Sequence, residues 1–100
     1  MITENDSLSR GFDAGNYDNS YVSENYMAAI SKRIKRYNEY EDAHPGAFRG
    51  AYMLGFFSSY ENYEIPPSLR SGVREAEAKY GAKMRAIGIA VEPRSRKRKP

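Results

Sequence analysis

The strongest constraint in the sequence is a central segment that has helical spacing and is apolar on nearly every side. Smaller side chains such as Ala51 and Leu54 lie on one side of the segment, and bulky aromatic side chains recur every fourth residue on the other, at Phe48, Tyr52, Phe56 and Tyr60. Such a helix is stable only when other elements cover it all round. We therefore expect a central helix over about 45–63, with Pro45 at its first position.

A first covering helix is predicted over about 21–42, just before the central segment. Ser20 is a candidate N-cap, and the apolar residues recur every three or four positions, at Val22, Tyr26, Ile30, Ile34 and Tyr37. This spacing lines one helical face.

A second covering helix is predicted over about 68–87, with Ser68 as its candidate cap. Pro66 and Pro67 separate it from the central helix, because proline cannot continue the hydrogen-bond ladder. Its narrow apolar stripe comprises Leu69, Val73, Ala76, Tyr80, Met84 and Ile87. The stripe is expected to pack on the central helix; an interface with a partner is the alternative.

Residues 1–20 are polar and acidic, and they predict a mobile segment with one short helix over about 7–15. Gly11 and Gly15 there, like Gly50 and Gly55 later, follow a small-residue spacing typical of close helix contact. With 100 residues, one domain is expected. The fold class is all-α: three main helices plus a short N-terminal helix, with the helical domain over 21–92 and a basic disordered tail over 93–100.

The positive charge is concentrated in that tail. Five of the 16 Lys and Arg residues lie there, at Arg94, Arg96, Lys97, Arg98 and Lys99, which leaves 11 cations against 13 acidic residues in the body. The high isoelectric point therefore describes the tail, while the body is close to neutral.

Composition excludes several classes of site. The chain has no cysteine and a single histidine, so thiolate or multi-histidine metal sites are excluded, and no metal or cofactor is expected. His44 follows several carboxylates, but we interpret that segment as a solvated loop and expect no catalytic residues and no enzymatic activity. The N-terminus lacks a signal-peptide pattern and no apolar run is long enough to span a membrane, so a cytoplasmic protein without membrane contact is expected.

The aromatic residues favour a non-enzymatic binding protein. Tyr17, Tyr21, Tyr40 and Tyr63 are difficult to bury in so small a helical domain, and exposed tyrosines are common in protein interfaces. We expect them to anchor the chain on a larger host protein or nucleoprotein complex, which the chain would inhibit or modulate.

The second hypothesis is binding of RNA, DNA or the ribosome. Its contacts would be the basic tail and a patch formed by Lys32, Arg33, Lys35 and Arg36. Cations can follow a phosphate backbone, and neighbouring tyrosine rings can stack on bases.

Two resemblances bear on these hypotheses. The segment Arg10-Gly11-Phe12-Asp13-Ala14-Gly15 resembles one near the start of ribosome modulation factors, small basic proteins that bind ribosomal RNA in resting bacteria. This likeness covers six residues and assigns no functional residue. In composition, a short, tyrosine-rich, cysteine-free chain is similar to many small bacteriophage-encoded accessory proteins, such as anti-defence or host-takeover factors.

Overall fold

A computed structural model describes residues 1–91, and the predicted all-α fold is confirmed over that range. The α-helices are α1 (Glu4–Asp18), α2 (Tyr26–Arg36), α3 (Asn38–Ala43), α4 (Ala47–Phe56), α5 (Pro67–Ala76) and α6 (Ala82–Ala86). Short 3-10 turns occupy Ser23–Asn25 and Asn62–Glu64, and the π-helical segment Glu77–Gly81 joins α5 to α6 in one continuous helix. The predicted basic tail lies outside the described residues.

The predicted central helix is confirmed as α4, whose residues are all buried except Arg49. It is shorter than expected, and Pro45 lies in the turn before it rather than at its first position. Gly46 adopts a left-handed φ of 91° in that turn, a conformation that glycine adopts without steric cost. The Glu41 carboxylate then accepts hydrogen bonds from the backbone N–H groups of Gly46 and Arg49, at 2.6 and 3.0 Å. A side chain from α3 thus caps the start of α4.

The N-terminal helix α1 is longer than predicted and belongs to the core. Thr3 and Asp6 form a reciprocal capping box at its start, which satisfies two backbone N–H groups. Gly11 and Gly15 face the backbone of α4, and a Cβ at either position would overlap carbonyl oxygens of that helix. The expected short helix over 7–15 was an underestimate, because backbone contact through glycines adds no apolar side chains to the sequence pattern.

The predicted helix over 21–42 is divided into two. Asn25, rather than Ser20, precedes α2, and Val22 is exposed. At Tyr37 the backbone leaves helical geometry, with φ −115° and ψ 37°, and α3 begins. This break allows α3 to contact α1, where the Ser7 hydroxyl donates a hydrogen bond to the carbonyl of Tyr40 at 2.8 Å.

The last helix packs most of its predicted apolar stripe against the core, with Val73, Ala76, Tyr80 and Met84 buried, which confirms the packing interpretation for these residues. Ile87 is the exception: it follows the end of the helix and is exposed. The helix begins at Pro67, so Ser68 is not its cap; proline at this position has no N–H to leave unpaired. The π-helical segment places the Glu77 carboxylate against Gly81, where a Cβ would be only 2.5 Å from a carboxylate oxygen. Gly88, at φ 90°, terminates the helix; its N–H donates to Arg85, and the N–H of Ile89 donates to Met84, the hydrogen-bond pattern of a Schellman motif.

Candidate nucleic-acid interface

Two clefts lie side by side on the surface formed by α1, α2 and the segment between them. The first, of about 700 Å³, is lined by Tyr17, Asp18, Ser20, Tyr21, Ala29, Lys32, Arg33, Lys35 and Arg36. The second, of about 460 Å³, is lined by Arg10, Asp13, Ala14, Tyr17, Arg33, Arg36 and Tyr37. Because Tyr17, Arg33 and Arg36 line both, the clefts adjoin, and together they form what we call the two-cleft face.

Tyr17 stands at the boundary between the clefts. Tyr17 is 80% exposed, although it lies in the last turn of a helix whose other face is buried. The Arg33 guanidinium carbon lies 5.5 Å from the centroid of the Tyr17 ring, within the range of a cation–π contact. Arg33 therefore supports the ring while leaving most of it open to solvent.

Arg33 is itself fixed by Asp18. Its Nε and Nη2 each donate a hydrogen bond of 2.9 Å to one oxygen of the Asp18 carboxylate. The Tyr52 hydroxyl of α4 donates a further hydrogen bond of 2.8 Å to the same carboxylate. A chain of contacts thus runs from the buried central helix through Asp18 and Arg33 to Tyr17.

The electrostatics of this chain favour the charged forms of both ionic partners. Burial alone raises the pKa of the Asp18 carboxyl, but hydrogen bonds from Arg33 and Tyr52 and the Arg33 charge outweigh it, so the net pKa is lowered. The hydrogen bond to Asp18 raises the pKa of Arg33. Burial, followed by the bond to Asp18, raises the pKa of the Tyr52 hydroxyl. Asp18 is thus a stable anion beneath the face.

The remaining cations of the face are accessible to a ligand. Lys32, Lys35 and Arg36 are exposed, and no carboxylate within residues 1–91 forms an ion pair with them. Arg36 contacts the ring of Tyr37 at 5.7 Å, and Arg10 lies 5.2 Å from the ring of Tyr40. Cations outnumber carboxylates in the two clefts together, so the face is positively charged although the body of the chain is close to neutral.

The structure brings together some of the residues predicted from the sequence and separates others. Tyr17 and Tyr21, predicted for a protein interface, line the same cleft as Lys32, Arg33, Lys35 and Arg36, predicted for nucleic acid. Tyr40 is half-buried and adjoins Arg10. Tyr63 is 77% exposed but lines neither cleft. The predicted tail cations, Arg94, Arg96, Lys97, Arg98 and Lys99, lie outside the described residues.

Sequence reasoning missed Arg10, and for Tyr37 it favoured core packing over a nucleic-acid contact. Both line the second cleft. Arg10 precedes Tyr17 by seven residues on α1, about two helical turns, so the two share a face of that helix. That signal becomes visible once α1 is extended to Asp18.

Within residues 1–91, His44 contacts a backbone carbonyl rather than a carboxylate: its Nε2 lies 2.9 Å from the carbonyl oxygen of Ile2. Glu41, one of the nearby acids, is occupied in capping α4. Within the described part of the chain, no three metal-ligating side chains converge. Among those residues, too, every helix is too short or too polar to cross a bilayer.

The chain matches no known protein-family model, and comparisons with curated proteins and with solved structures also found no match. The geometry of the two-cleft face is therefore the basis for assigning a function.

Proposed function

We propose that this protein is a non-enzymatic binding protein that binds single-stranded nucleic acid through the two-cleft face. The observation that carries the proposal is the position of the exposed Tyr17 ring between two clefts whose accessible cations include Lys32, Lys35 and Arg36. Proteins that bind single strands combine a positively charged groove, which follows the backbone, with aromatic rings on which bases stack.

The form of the face favours a single strand over a duplex. A duplex keeps its bases stacked inside and presents chiefly phosphates, so a projecting tyrosine ring would contribute little to binding it. Unpaired bases expose their π-faces and can stack on such a ring. Tyr17 and Tyr21 add this aromatic component to the charge of α2.

The basic tail supplies a second electrostatic contact in this proposal. Its five cations exceed the number of accessible cations that α2 contributes to the face, and cations that replace counterions on phosphates add affinity without sequence preference. The face would then provide the stacking contact and the tail an anchor.

The test is fluorescence anisotropy with labelled single-stranded RNA, single-stranded DNA and duplex DNA over a series of salt concentrations. The central variant replaces Lys32, Lys35 and Arg36 with glutamine. Its matched control replaces Arg49, Arg74 and Lys79, three exposed cations that line neither cleft, and so changes the net charge equally.

We expect single strands to bind more tightly than duplex. The slope of log affinity against log salt should flatten by about 2 in the face variant, at about 0.7 for each phosphate that the variant no longer neutralises. The control should keep nearly the full slope, and deletion of residues 94–100 should flatten it independently. Equal flattening in the two triple variants would contradict the proposal, as would absence of binding by the full chain.

Docking on a protein partner is the second candidate, and exposed apolar residues outside the clefts favour it. Tyr63, Met27 and Val22 are 77%, 58% and 52% exposed and line neither cleft. In this case the partner would be a larger host protein that the chain inhibits or modulates, with Tyr17, Tyr21, Tyr40 and Tyr63 as anchors. A stoichiometric complex that survives nuclease and the face variant, but is abolished by Tyr63→Ser, would favour this candidate.

A further inference from the structure

We infer that Tyr17 is a pre-oriented platform for one unpaired base, and that the two phosphates flanking that nucleotide bind in the clefts on either side. This inference rests on the proposed function and names the unit of ligand that the two-cleft face recognises: a single nucleotide with both of its phosphates.

The first step is the position of the ring. Tyr17 lines both clefts and is 80% exposed, so a ligand that spans the clefts must pass over it. Each cleft also contains a cation that the other lacks, Lys32 in the first and Arg10 in the second. A nucleotide stacked on Tyr17 therefore has a cation available for a phosphate on each side.

The second step is the support of the ring. An exposed tyrosine on a helix surface ordinarily samples several rotamers, and fixing it on binding has an entropic cost. Here Arg33 contacts the ring, Asp18 holds Arg33 at two points, and the buried Tyr52 holds Asp18. Because these contacts exist before any ligand arrives, part of the ordering cost is removed from the binding step.

The third step separates the roles of the cations. Two nitrogens of Arg33 are already engaged by Asp18, so we assign Arg33 as a positioning residue for Tyr17 rather than as a principal phosphate ligand. Lys32, Lys35 and Arg36 are the accessible phosphate ligands on α2, and Arg36, which lines both clefts, is placed at the junction.

The experiment uses the full chain with Tyr17→Trp. The natural sequence has no tryptophan, so the variant reports stacking at this position alone through quenching of its fluorescence. The probes are adenosine 3′,5′-bisphosphate, adenosine 5′-monophosphate, adenosine 3′-monophosphate, ribose 3,5-bisphosphate without a base, and a short single-stranded RNA. Tyr17→Ala, Tyr17→Phe and the matched exposed variant Tyr63→Ala are measured by anisotropy with the RNA.

The bisphosphate should quench the tryptophan and bind about tenfold more tightly than either monophosphate, because its second phosphate adds a charge-assisted contact. The ribose bisphosphate should leave the emission unchanged. For the RNA, Tyr17→Ala should weaken binding about 5- to 150-fold, the range for removal of one stacked base, whereas Tyr17→Phe and Tyr63→Ala should change it less than about twofold. Tight binding of the bisphosphate alone, without RNA binding, would overturn the assignment to a nucleic-acid strand and identify a free nucleotide as the ligand.

A further variant tests the positioning role. Arg33→Lys in the Tyr17→Trp background keeps the charge but removes the two-point hydrogen bonding to Asp18. It should reduce quenching by the RNA while leaving the salt dependence of binding unchanged, a combination that removal of a phosphate ligand would not produce.

The inference is overturned if the RNA binds but the bisphosphate binds no better than the monophosphates. Equal weakening by Tyr17→Ala and Tyr63→Ala would overturn it as well. In both cases the salt dependence of the charge variants still decides the proposed function, so the two failures are distinguishable.

Discussion

Arg33 and Asp18 join α2 to α1 by a two-point ion pair, with both nitrogen-to-oxygen distances at 2.9 Å. The side chains are only 18% and 10% exposed, so the pair is better shielded from water than an ordinary surface salt bridge. The Tyr52 hydroxyl ties the same carboxylate to α4. One carboxylate therefore connects three helices and also holds the arginine that contacts the Tyr17 ring.

Replacing Asp18 with asparagine should lower the free energy of unfolding at neutral pH by about 1.5–3 kcal/mol, the range for hydrogen bonds to charged groups. Since the folded pKa of Asp18 is depressed, its stabilising contribution is fully present above the ordinary aspartate pKa of about 3.9. The contribution disappears as the pH falls below that value through the folded pKa. Urea unfolding followed by circular dichroism at neutral and acidic pH measures both effects.

In that series, Asp18→Asn should show a shallower decline of stability in acid than the natural chain. Asp6 retains part of the dependence, because hydrogen bonds within the Thr3 capping box also lower its pKa. Asp13→Asn is the control, since Asp13 is exposed on the same face. An acid profile that is identical in Asp18→Asn and the natural chain would show that Asp18 is not linked to folding.

Removal of the hydroxyl should destabilise the fold at one buried tyrosine, Tyr52, and not at another, Tyr26. Tyr52→Phe removes the hydrogen bond to Asp18 and should destabilise the fold by about 1.5–3 kcal/mol. Tyr26 is 1% exposed, and its hydroxyl makes no hydrogen bond within residues 1–91. Tyr26→Phe should therefore be neutral or stabilising, since it removes a buried polar group without a partner. Thermal and urea unfolding of the two variants provide the comparison. Equal destabilisation by the two substitutions would refute the prediction.

The contact of Gly15 on α1 with the backbone of α4 leaves no room for a methyl group. A Cβ on Gly15 would overlap the carbonyl oxygen of Tyr52 and approach the backbone nitrogen of Phe56 to 2.7 Å. Because the backbone cannot move aside as a side chain does, Gly15→Ala should destabilise the fold by about 1–3 kcal/mol. Gly72→Ala on α5 meets only the flexible end of Met53, at 3.4 Å, and should gain up to about 1 kcal/mol from helix propensity.

Unfolding free energies of these two alanine variants test the glycine contact directly. The two variants should change the free energy of unfolding in opposite directions. This result is diagnostic, because helix propensity alone would stabilise both. Stabilisation by Gly15→Ala would mean that the α1 and α4 backbones are farther apart than described.

Arg85 should hold the segment after the last helix. It donates one hydrogen bond to the carbonyl of Val91 at 2.9 Å and another to the Glu77 carboxylate at 3.2 Å. Arg85→Gln should speed amide hydrogen exchange in residues 87–91 and leave the buried Glu77 without its cation. Adding Glu77→Gln should restore part of the stability, since a neutral amide is cheaper to bury. If the double variant is destabilised by the sum of the two single effects, the residues are not coupled.

The helical class and the central position of α4 were predictable because both depend on side-chain periodicity. The break at Tyr37 was not, since the apolar spacing continues through it and the break is stabilised by contacts of α3 with α1 and α4. The length of α1 was also hidden: its main contact uses glycines, whose close approach to another backbone adds nothing to an apolar pattern.

Several residues of the candidate site were predicted individually, but their grouping was not. Tyr17 and Tyr21 were assigned to one hypothesis and Lys32, Arg33, Lys35 and Arg36 to another, because α1 and α2 are separate segments in the sequence. Packing of the two helices places them in one cleft. The roles of Asp18 and Tyr52 became visible only through their hydrogen bonds.

The glycine contact between α1 and α4 also has a consequence for the order of events during synthesis. The surface that Gly11 and Gly15 require is supplied by α4, with α2 and α3 lying between them in the sequence. A nascent chain that ends before Ala47 lacks the helix on which Gly11 and Gly15 pack, so α1 has only its smaller contacts with α2 and α3. Such long-range contacts must wait for closure of the intervening loop. We therefore expect cooperative folding to begin only after the central helix has left the ribosome, so α1 is secured by α4 and not when α1 itself is synthesised.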